Sequence, residues 1–423
     1  MFGKLAQIWK VKEVRNKIIY VLFILVIFRI AAQIPIPGVN VESLKALFES
    51  NQIFGLVNIF SGGAMSNFSV VMLGIGPYIT ASIIFQLLTI IIPKLAEMQK
   101  EEGGRQKMNQ WQRYLTVPLA ILQSYATITI LKQQGQGIIT EMSGFNLIAA
   151  IITITAGSIF LMWLGELISE KKVGNGISLL IFAGIIASFP EQVSQTIVSF
   201  DAANAINLVI LLLVGLVTIA GVVFITEGQR NIPVSYARRI RGNKMYGGVN
   251  THLPLKVNQA GVIPIIFAIS IVLIPPMAAQ FFVNSDNYWL ATIAEWVVVN
   301  FRGGLVYGVT YFALVVAFTF FYTTVVFHPD QIAENLQKQG GFIPGIRPGR
   351  NTAEFLSYVS NRIILAGALF LGVIAVLPTI LQSATNISTL IIGGTSLLIV
   401  VSVVIETVKQ IESQLVMRDY EGF

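Results

Sequence analysis

Cysteine is absent from this 423-residue chain, and charged residues make up only 12% of it. Without cysteine, the chain has neither disulfide bonds nor thiol chemistry. Its two histidines, His252 and His328, lie far apart in sequence with no cluster of carboxylates beside them, so we expect no metal ion and no cofactor. Soluble domains carry roughly 25% charged residues. The shortage of charge therefore argues against a soluble enzyme.

Hydrophobic residues make up 54% of the chain, and its mean hydropathy is +0.73. A membrane-spanning helix needs about 20 predominantly apolar residues. Apolar runs near this length predict ten crossings, at about 18–34, 68–92, 114–131, 145–168, 176–189, 205–226, 257–283, 304–327, 362–381 and 387–408. No small-residue cleavage site follows the basic N-terminal segment, so we expect this segment to be retained.

The distribution of Lys and Arg supports this count. Of the 28 such residues, 24 fall on one side of the ten-crossing arrangement. The opposite loops hold only Lys45, Lys132 and Arg302, and Arg29 lies inside the first crossing. Because cytoplasmic loops carry the excess of positive charge, the pattern predicts that both termini are cytoplasmic.

The second crossing is interrupted near its start. A short apolar piece at 54–60 meets Ser61, Gly62 and Gly63, and a longer apolar piece follows at 68–92. Irregular backbone at membrane depth is tolerated only where protein or a water-filled cavity surrounds it. The interruption therefore predicts a cavity that holds a movable segment.

Ionisable residues at membrane depth are few, which bears on the class of function. Glu166 and Glu406 lie near predicted cytoplasmic ends, and Arg29 lies in the outer half of its crossing, where its long side chain is expected to extend to the membrane surface. Ion-coupled carriers use intramembrane ionisable groups. A passive conduit without a catalytic site is favoured, and a carrier for a small solute or a flippase or scaffold without a pore remain alternatives.

Two long basic loops, at 226–256 and 328–355, are candidate docking surfaces. Clustered positive charge attracts anionic partners such as lipid headgroups, RNA or acidic protein surfaces. The alternative is that the charges serve only as topology signals. We predict docking because topology alone does not need segments of this length with glycine and proline turns. The candidate docking residues are Arg238, Arg239, Lys244 and Arg347.

Several long motifs, in order along the chain, resemble the SecY family of protein-secretion channels. They read GIGPYITASIIFQLLT, MWLGELISEKKVGNGISLLIFAG, THLPLKVNQAGVIPIIFA, NLQKQGGFIPGIRPG and GGTSLLIVVSV. The resemblance implies an all-α polytopic protein of the bacterial cell membrane, with ten transmembrane helices in two inverted five-helix halves (1–190 and 191–423) and a broken second helix that forms a plug. It also implies a passive polypeptide pore with a lateral gate. The implied partners are the SecE and SecG membrane subunits, the SecA ATPase, the ribosome, signal sequences, unfolded polypeptides and membrane lipids.

The same resemblance assigns roles to individual residues. The plug includes Phe60, Ser61, Gly62 and Gly63. The pore constriction falls on six isoleucines: Ile75, Ile79, Ile177, Ile181, Ile266 and Ile399. The spacings 75/79 and 177/181 place each pair on one helix face. Any one of them, taken alone, is better explained as lipid-facing or packing surface, as isoleucine in a membrane helix usually is. Together they would form a dry, compliant seal.

The lateral gate implied by the resemblance lies between crossings two and three on one side and crossings seven and eight on the other. The matching positions are Thr80, Gln86, Gln123, Asn258 and Ile274. Amides in a membrane form hydrogen bonds between helices that contribute about 0.6–2 kcal/mol each. We expect such bonds to hold the gate shut. The alternative is that each amide is satisfied separately by water or backbone.

The predicted orientation can be tested by thiol labelling, because the native chain supplies no background cysteine. Gly242→Cys should react with an impermeant thiol reagent only from the cytoplasmic side. Asn284→Cys should react only from the outside. Exchange of the two accessibilities would overturn the orientation.

Overall fold

A computed structural model describes most of the chain, and 77% of the described residues are helical. The described residues are 11–50, 58, 61–101, 103–133, 143–198, 205–236, 239–241, 244–246, 250–283, 285, 287–301, 304–385 and 394–421. Phe60 and Arg238 lie outside them.

The helices of the first half are α1 (Lys12–Ala31), α2 (Val41–Ser50), α3 (Gly76–Ile91), α4 (Pro93–Lys100), α5 (Gly104–Gln133), α6 (Gly144–Glu170) and α7 (Gly176–Val198). The helices that follow are α8 (Ala205–Glu227), α9 (Ile263–Val272), α10 (Ile274–Gln280), α11 (Tyr288–Asn300), α12 (Leu305–Val326), α13 (Pro329–Lys338), α14 (Arg350–Thr385) and α15 (Gly394–Glu421). The strands are β1 (Gln229–Tyr236), β2 (Arg239–Arg241), β3 (Lys244–Tyr246), β4 (Asn250–Lys256) and β5 (Gly341–Phe342).

Five helical stretches among the described residues are long and apolar enough to cross a membrane. They are Gln106–Lys132, Gly144–Glu170, Ile263–Gln280, Leu305–Lys338 and Arg350–Leu377. A sixth is obtained if α3 and α4, which bend by 109° at their junction, count as one broken span. The polytopic character is thus evident, and the count of ten stays a prediction.

The helix of the second crossing begins later than the hydropathy predicted. Residues 61–75 form consecutive turns, and α3 starts only at Gly76. Phe68 has φ +46° and Gly74 has φ +57°, and neither value is compatible with a right-handed helix. Pro77 then occupies the first turn of α3, where a missing N–H costs nothing. The predicted start at residue 68 was therefore wrong.

The seventh crossing, predicted as one apolar run over 257–283, is also divided. Helix α9 ends at Val272 and α10 begins at Ile274. Pro275 and Pro276 occupy the first positions of α10, so two backbone donors are missing where a continuous helix would need them.

One large hydrophobic cluster, which we call the main core, joins helices from both halves of the chain. Its buried members include Ile24 and Phe28 of α1, Leu164 of α6, Ile265 of α9 and Val315 of α12. A second cluster, which includes Leu44, Phe68, Met72, Ile128 and Ile154, encloses the irregular segment 61–75. The irregular backbone is thus surrounded by protein, as its depth in the membrane requires.

The two long basic loops are not separate loops, and the all-α prediction needs correction here. Strand β1 pairs antiparallel with β4, from Gln229 opposite Lys256 to Ser235 opposite Asn250. The same strand pairs with β5, where Ser235 lies opposite Phe342. We call β1, β4, β5 and α13 the platform. Its apolar side includes Ile232, Val234, Leu255 and Leu336, which pack in one cluster with Leu356 of α14.

The close approach of α6 to the irregular segment gives a stability prediction. A Cβ added at Gly157 would lie 1.9 Å from the carbonyl oxygen of Val70, whereas a Cβ at Gly144 of the same helix meets nothing within 4 Å. Gly157→Ala should lower the free energy of unfolding by about 1–3 kcal/mol because the backbone must shift. Gly144→Ala should change it by less than about 0.5 kcal/mol.

The comparison is made by thermal unfolding of the two purified variants in the same detergent. Equal unfolding midpoints would contradict the close contact between α6 and residues 70–71.

Candidate functional site

A polar cavity of about 690 Å³, which we call the vestibule, opens between the two halves of the chain. Helices α3, α5, α7, α9, α12 and α13 contribute to its wall. Amides and hydroxyls dominate the polar part of the lining, and they include Ser82, Gln86, Gln112, Asn175, Ser178 and Asn335. No Asp, Glu, Lys or Arg is among the described residues that line it. The vestibule can hold water and form hydrogen bonds without a fixed charge on its wall.

Three of the six predicted ring isoleucines line the vestibule. Ile79 of α3, Ile177 of α7 and Ile266 of α9 all contribute to its apolar wall. On α3 the lining runs from Tyr78 to Thr89, which at about 1.5 Å per residue is roughly 16 Å along the helix. Ile79 thus lies near the end of the lining that is farthest from α4.

The other three ring isoleucines are buried in the main core. Ile75 is 6% exposed, Ile181 is 3% exposed and Ile399 is fully buried. Ile79 and Ile177 pack against the same core, and Ile266 belongs to it. All six predicted residues therefore belong to or contact one hydrophobic cluster, with three of them also facing the polar cavity.

Helix α7 connects the vestibule to the predicted plug. Ile177, Ile181 and Gly184 recur at i, i+4 and i+7, so they share one face of the helix. A Cβ added at Gly62 would lie 2.8 Å from the Cα of Gly184. This face of α7 thus contacts the vestibule, the predicted ring and the Ser61–Gly62–Gly63 turn in succession. We call residues 61–63 the plug turn.

The plug turn satisfies its own polar groups. Gly62 and Gly63 have φ +72° and +78°, which is the left-handed region that glycine adopts without strain. The Ser61 hydroxyl donates to the Asn58 carbonyl (2.9 Å) and accepts from the Met65 N–H (3.1 Å). The Gly63 N–H also donates to the Asn58 carbonyl, at 2.9 Å. A compact, internally bonded turn results, and Ser61 is only 4% exposed.

Arg29 was expected to extend to the membrane surface, and the structure places it differently. Its Nη1 donates a hydrogen bond to the main-chain carbonyl of Gly62. Sequence reasoning missed this contact. A usable signal was present, because Arg29 lies in the outer half of crossing one and crossing two is interrupted at a similar depth.

The predicted gate amides are not bonded across the seam between α3 and α9. Gln123 Nε2 of α5 approaches Thr80 Oγ1 of α3 at 3.4 Å, which is a contact within the first half. Asn258 Nδ2 donates locally to the Gly261 carbonyl (3.1 Å). Gln86 Oε1 and Asn258 Oδ1 have no partner among the described residues. The expectation of amide bonds across this seam is therefore wrong for this part of the chain. A half-exposed Ile274 begins α10.

Of the predicted docking residues, Arg347 lies in the turn that follows β5 of the platform. Arg347 is exposed in a turn bounded by Gly345 (φ +84°) and Gly349 (φ +94°), and its carbonyl accepts a hydrogen bond from Thr352 Oγ1 at 2.9 Å. Arg239 and Lys244 belong to a separate two-stranded sheet, β2–β3. The backbone around Arg347 is thus fixed while its side chain is free to meet a partner.

The SecY family model matches residues 69–408, which include all six ring isoleucines and every described gate residue. The chain belongs to the SecY family. The protein translocase subunit SecY of Streptomyces galbus is 46% identical over the full length of both chains. The protein translocase subunit SecY of Mycobacterium tuberculosis is 44% identical over 97% of each chain.

Solved structures of the SecY family and its relatives share the fold. One, described as a protein conducting channel, superposes with a TM-score of 0.65 at 19% identity, covering 93% of this chain and 91% of that one. Another, Sec61 in the canine ribosome-channel complex from the endoplasmic reticulum, gives 0.62 at 18% identity over 94% and 91%.

The contact between the plug turn and α7 predicts unequal effects at two adjacent glycines. In a Ser61→Cys background the introduced thiol should react slowly with a soluble maleimide. Gly62→Ala should raise that rate about tenfold, because the new methyl meets Gly184 and the turn must move. Gly63→Ala is the matched control, since its φ is similar but a Cβ there meets nothing within 4 Å.

A Gly63→Ala rate equal to that of Gly62→Ala would mean that backbone strain alone, and not the approach to α7, governs the turn.

Proposed function

We propose that this chain forms the central pore of a bacterial protein-conducting channel, through which unfolded polypeptides cross the cell membrane. The observation that carries the proposal is the face of α7, on which the polar vestibule, the aliphatic ring position Ile181 and the plug turn follow one another. The relatives named protein translocase subunit SecY support the same activity.

The chemistry of the vestibule suits an unfolded chain as its substrate. Amides and hydroxyls exchange hydrogen bonds with a peptide backbone whatever its sequence. Fixed charges on the wall would retain segments of opposite charge and repel those of like charge, and the described lining has none from Asp, Glu, Lys or Arg. The vestibule thus favours passage over tight or selective binding.

The isoleucine ring would act as the permeability barrier. A constriction lined by aliphatic side chains blocks ions because it is not wetted. Packed aliphatic groups can separate around a passing peptide without breaking hydrogen bonds. The plug turn lies against α7 one turn beyond Ile181, so we assign it the role of a second barrier behind the ring.

We further propose ten crossings in two inverted halves, 1–190 and 191–423, with the lateral gate between α3 and α9. The two helices are packed against each other. The absence of amide bonds between them, for the described residues, supports a seam that opens at the cost of apolar contacts alone. An apolar signal sequence would replace those contacts as it enters. Thr80, Gln86, Gln123, Asn258 and Ile274 are the proposed gate positions.

The proposed partners act from the cytoplasmic side and within the membrane. The turn after β5 presents Arg347 to a SecA-type ATPase or to the ribosome, and Arg238, Arg239 and Lys244 are the further proposed docking residues. A ribosome-channel complex of canine Sec61 supports the ribosome as a partner. The SecE and SecG subunits would cover lipid-facing helices. The channel itself catalyses no reaction, and its partners supply the driving energy.

The seal is tested by a polar substitution in the ring. Ile79→Asn should raise ion leak through channels reconstituted in liposomes by about tenfold or more, because an amide lets water enter the constriction. It should also allow defective signal sequences to be exported. Ile79→Leu keeps an aliphatic side chain and should stay sealed. Ile90→Asn, the same change on an exposed position of α3, controls for the effect of asparagine itself.

If Ile79→Asn does not raise the ion leak, Ile79 is an ordinary packing residue and not part of a seal. Saturable uptake of a small solute by the unmodified chain, without polypeptide transport, would favour the carrier alternative over a protein channel.

A further inference from the structure

Arg29 is the one Lys or Arg that the sequence places inside a predicted crossing and not at its end. Its partner is the main-chain carbonyl of Gly62, at the centre of the plug turn. Among the described residues no carboxylate forms an ion pair with it. Among the described residues, the guanidinium is therefore bonded to the plug turn and not to a neighbouring carboxylate.

The surroundings of Arg29 leave it few other partners. The residue is half-buried at the edge of an apolar groove formed by α1 and the residues that follow it. Besides Arg29, the groove's only described polar lining residue is Gln33, whose Oε1 accepts a hydrogen bond from Asn67 Nδ2 at 3.3 Å, and its apolar side chains are Leu22, Leu25, Val26, Ile30 and Ile34. A cation beside apolar surface is costly unless it is hydrogen-bonded. A shift of the plug turn would remove the bond seen here and leave the guanidinium beside that surface.

The acceptor is well suited to a cation. Gly62 adopts φ +72°, and the place its Cβ would take lies 3.4 Å from Arg29 Nη1 and 3.1 Å from Phe28 Cζ. A side chain at residue 62 would thus crowd the guanidinium. Hydrogen bonds from a charged donor are about twice as strong as neutral ones. Glycine at this position allows the arginine to reach the carbonyl.

We propose that Arg29 is a positioning residue that holds the plug turn against α7 in the closed state. Arg29 bonds to a main-chain carbonyl, so this hydrogen bond depends on the backbone conformation of the plug turn and not on the side chains of the plug. The contact and its test stand without the proposed function, whereas the effect of the contact on permeability rests on the channel function proposed above.

The test uses the thiol of Ser61→Cys in the otherwise cysteine-free full-length chain, reconstituted in liposomes. Arg29→Gln should speed its reaction with a soluble maleimide by about 10- to 100-fold, the range expected when a charge-assisted hydrogen bond is lost. Arg29→Lys keeps a cationic donor and should restore slow reaction to within about threefold of the parent. Arg15→Gln makes the same charge change at the other end of α1 and should have no effect.

An unchanged reaction rate in Arg29→Gln would overturn the proposal. A rise that Arg29→Lys fails to reverse would also overturn it, since general loosening of α1 would then be the cause. Thermal unfolding of each variant in detergent identifies such loosening directly, as a lowered midpoint shared by Arg29→Gln and Arg29→Lys.

Ion leak measured on the same liposomes separates the two proposals. Faster thiol reaction together with raised leak in Arg29→Gln supports both the role of Arg29 and the channel. Faster reaction without leak supports the role of Arg29 and counts against the plug turn as a barrier. Raised leak with unchanged thiol reaction overturns the role of Arg29 and leaves the channel function standing.

Discussion

The architecture around the pore depends on one constraint: backbone N–H and C=O groups at membrane depth must find partners within the protein. Residues 61–75 are irregular, yet many of their main-chain groups are hydrogen-bonded. The Ile36 N–H donates to the Phe68 carbonyl at 2.9 Å, and the Val70 N–H donates to the Ile34 carbonyl at 3.0 Å. The plug turn is bonded internally around Asn58. These bonds connect residues 61–75 partly to one another and partly to residues 34–36 and Asn58, so the irregular segment is fixed beside the chain that follows α1.

The same constraint explains where the neighbouring helices carry glycine. An irregular backbone bends toward its neighbours, and only a residue without a side chain lets it come close. Gly157 of α6 and Gly184 of α7 fill this role from two sides. At these two glycines, α6 and α7 therefore accommodate the backbone of residues 61–75 at a distance that would not admit a side chain. Phe68 and Met72 pack in the second hydrophobic cluster, which also holds residues 61–75 in place.

Five of the predicted crossings, at 114–131, 145–168, 257–283, 304–327 and 362–381, overlap described helices that are long and apolar enough to span a membrane, and the other five stay predictions. The prediction failed where an apolar segment can form either a helix or a series of turns. Residues 68–75 are as apolar as a helix, and only the left-handed conformations of Phe68 and Gly74, which depend on tertiary packing, mark them as turns. The break at Leu273 was foreshadowed by Pro275 and Pro276. The platform strands were missed because hydropathy does not distinguish a polar loop from a strand with one solvated face.

The positions of the aliphatic residues of the candidate site could be predicted, whereas the hydrogen-bond partners of its polar residues could not. The six ring positions came from the family resemblance; all six belong to or contact the main core, and their role as a ring stays a prediction. Hydrogen-bond partners are less predictable because an amide or guanidinium can turn toward several acceptors. Asn258 bonds within its own turn and Arg29 bonds to the plug turn, and neither choice follows from spacing along the chain.

The shared sheet of the platform has a mechanical consequence. Strand β1 continues from α8, β4 leads into α9, and β5 lies on the path from α13 to α14. Ladder hydrogen bonds tie these strands side by side, so the exposed turn at Arg347 is joined through the sheet to the ends of α8, α9 and α14. One of them, α9, packs on α3. The platform thus couples the turn at Arg347 to the start of α9, whose Ile263, Ile266 and Phe267 line the vestibule.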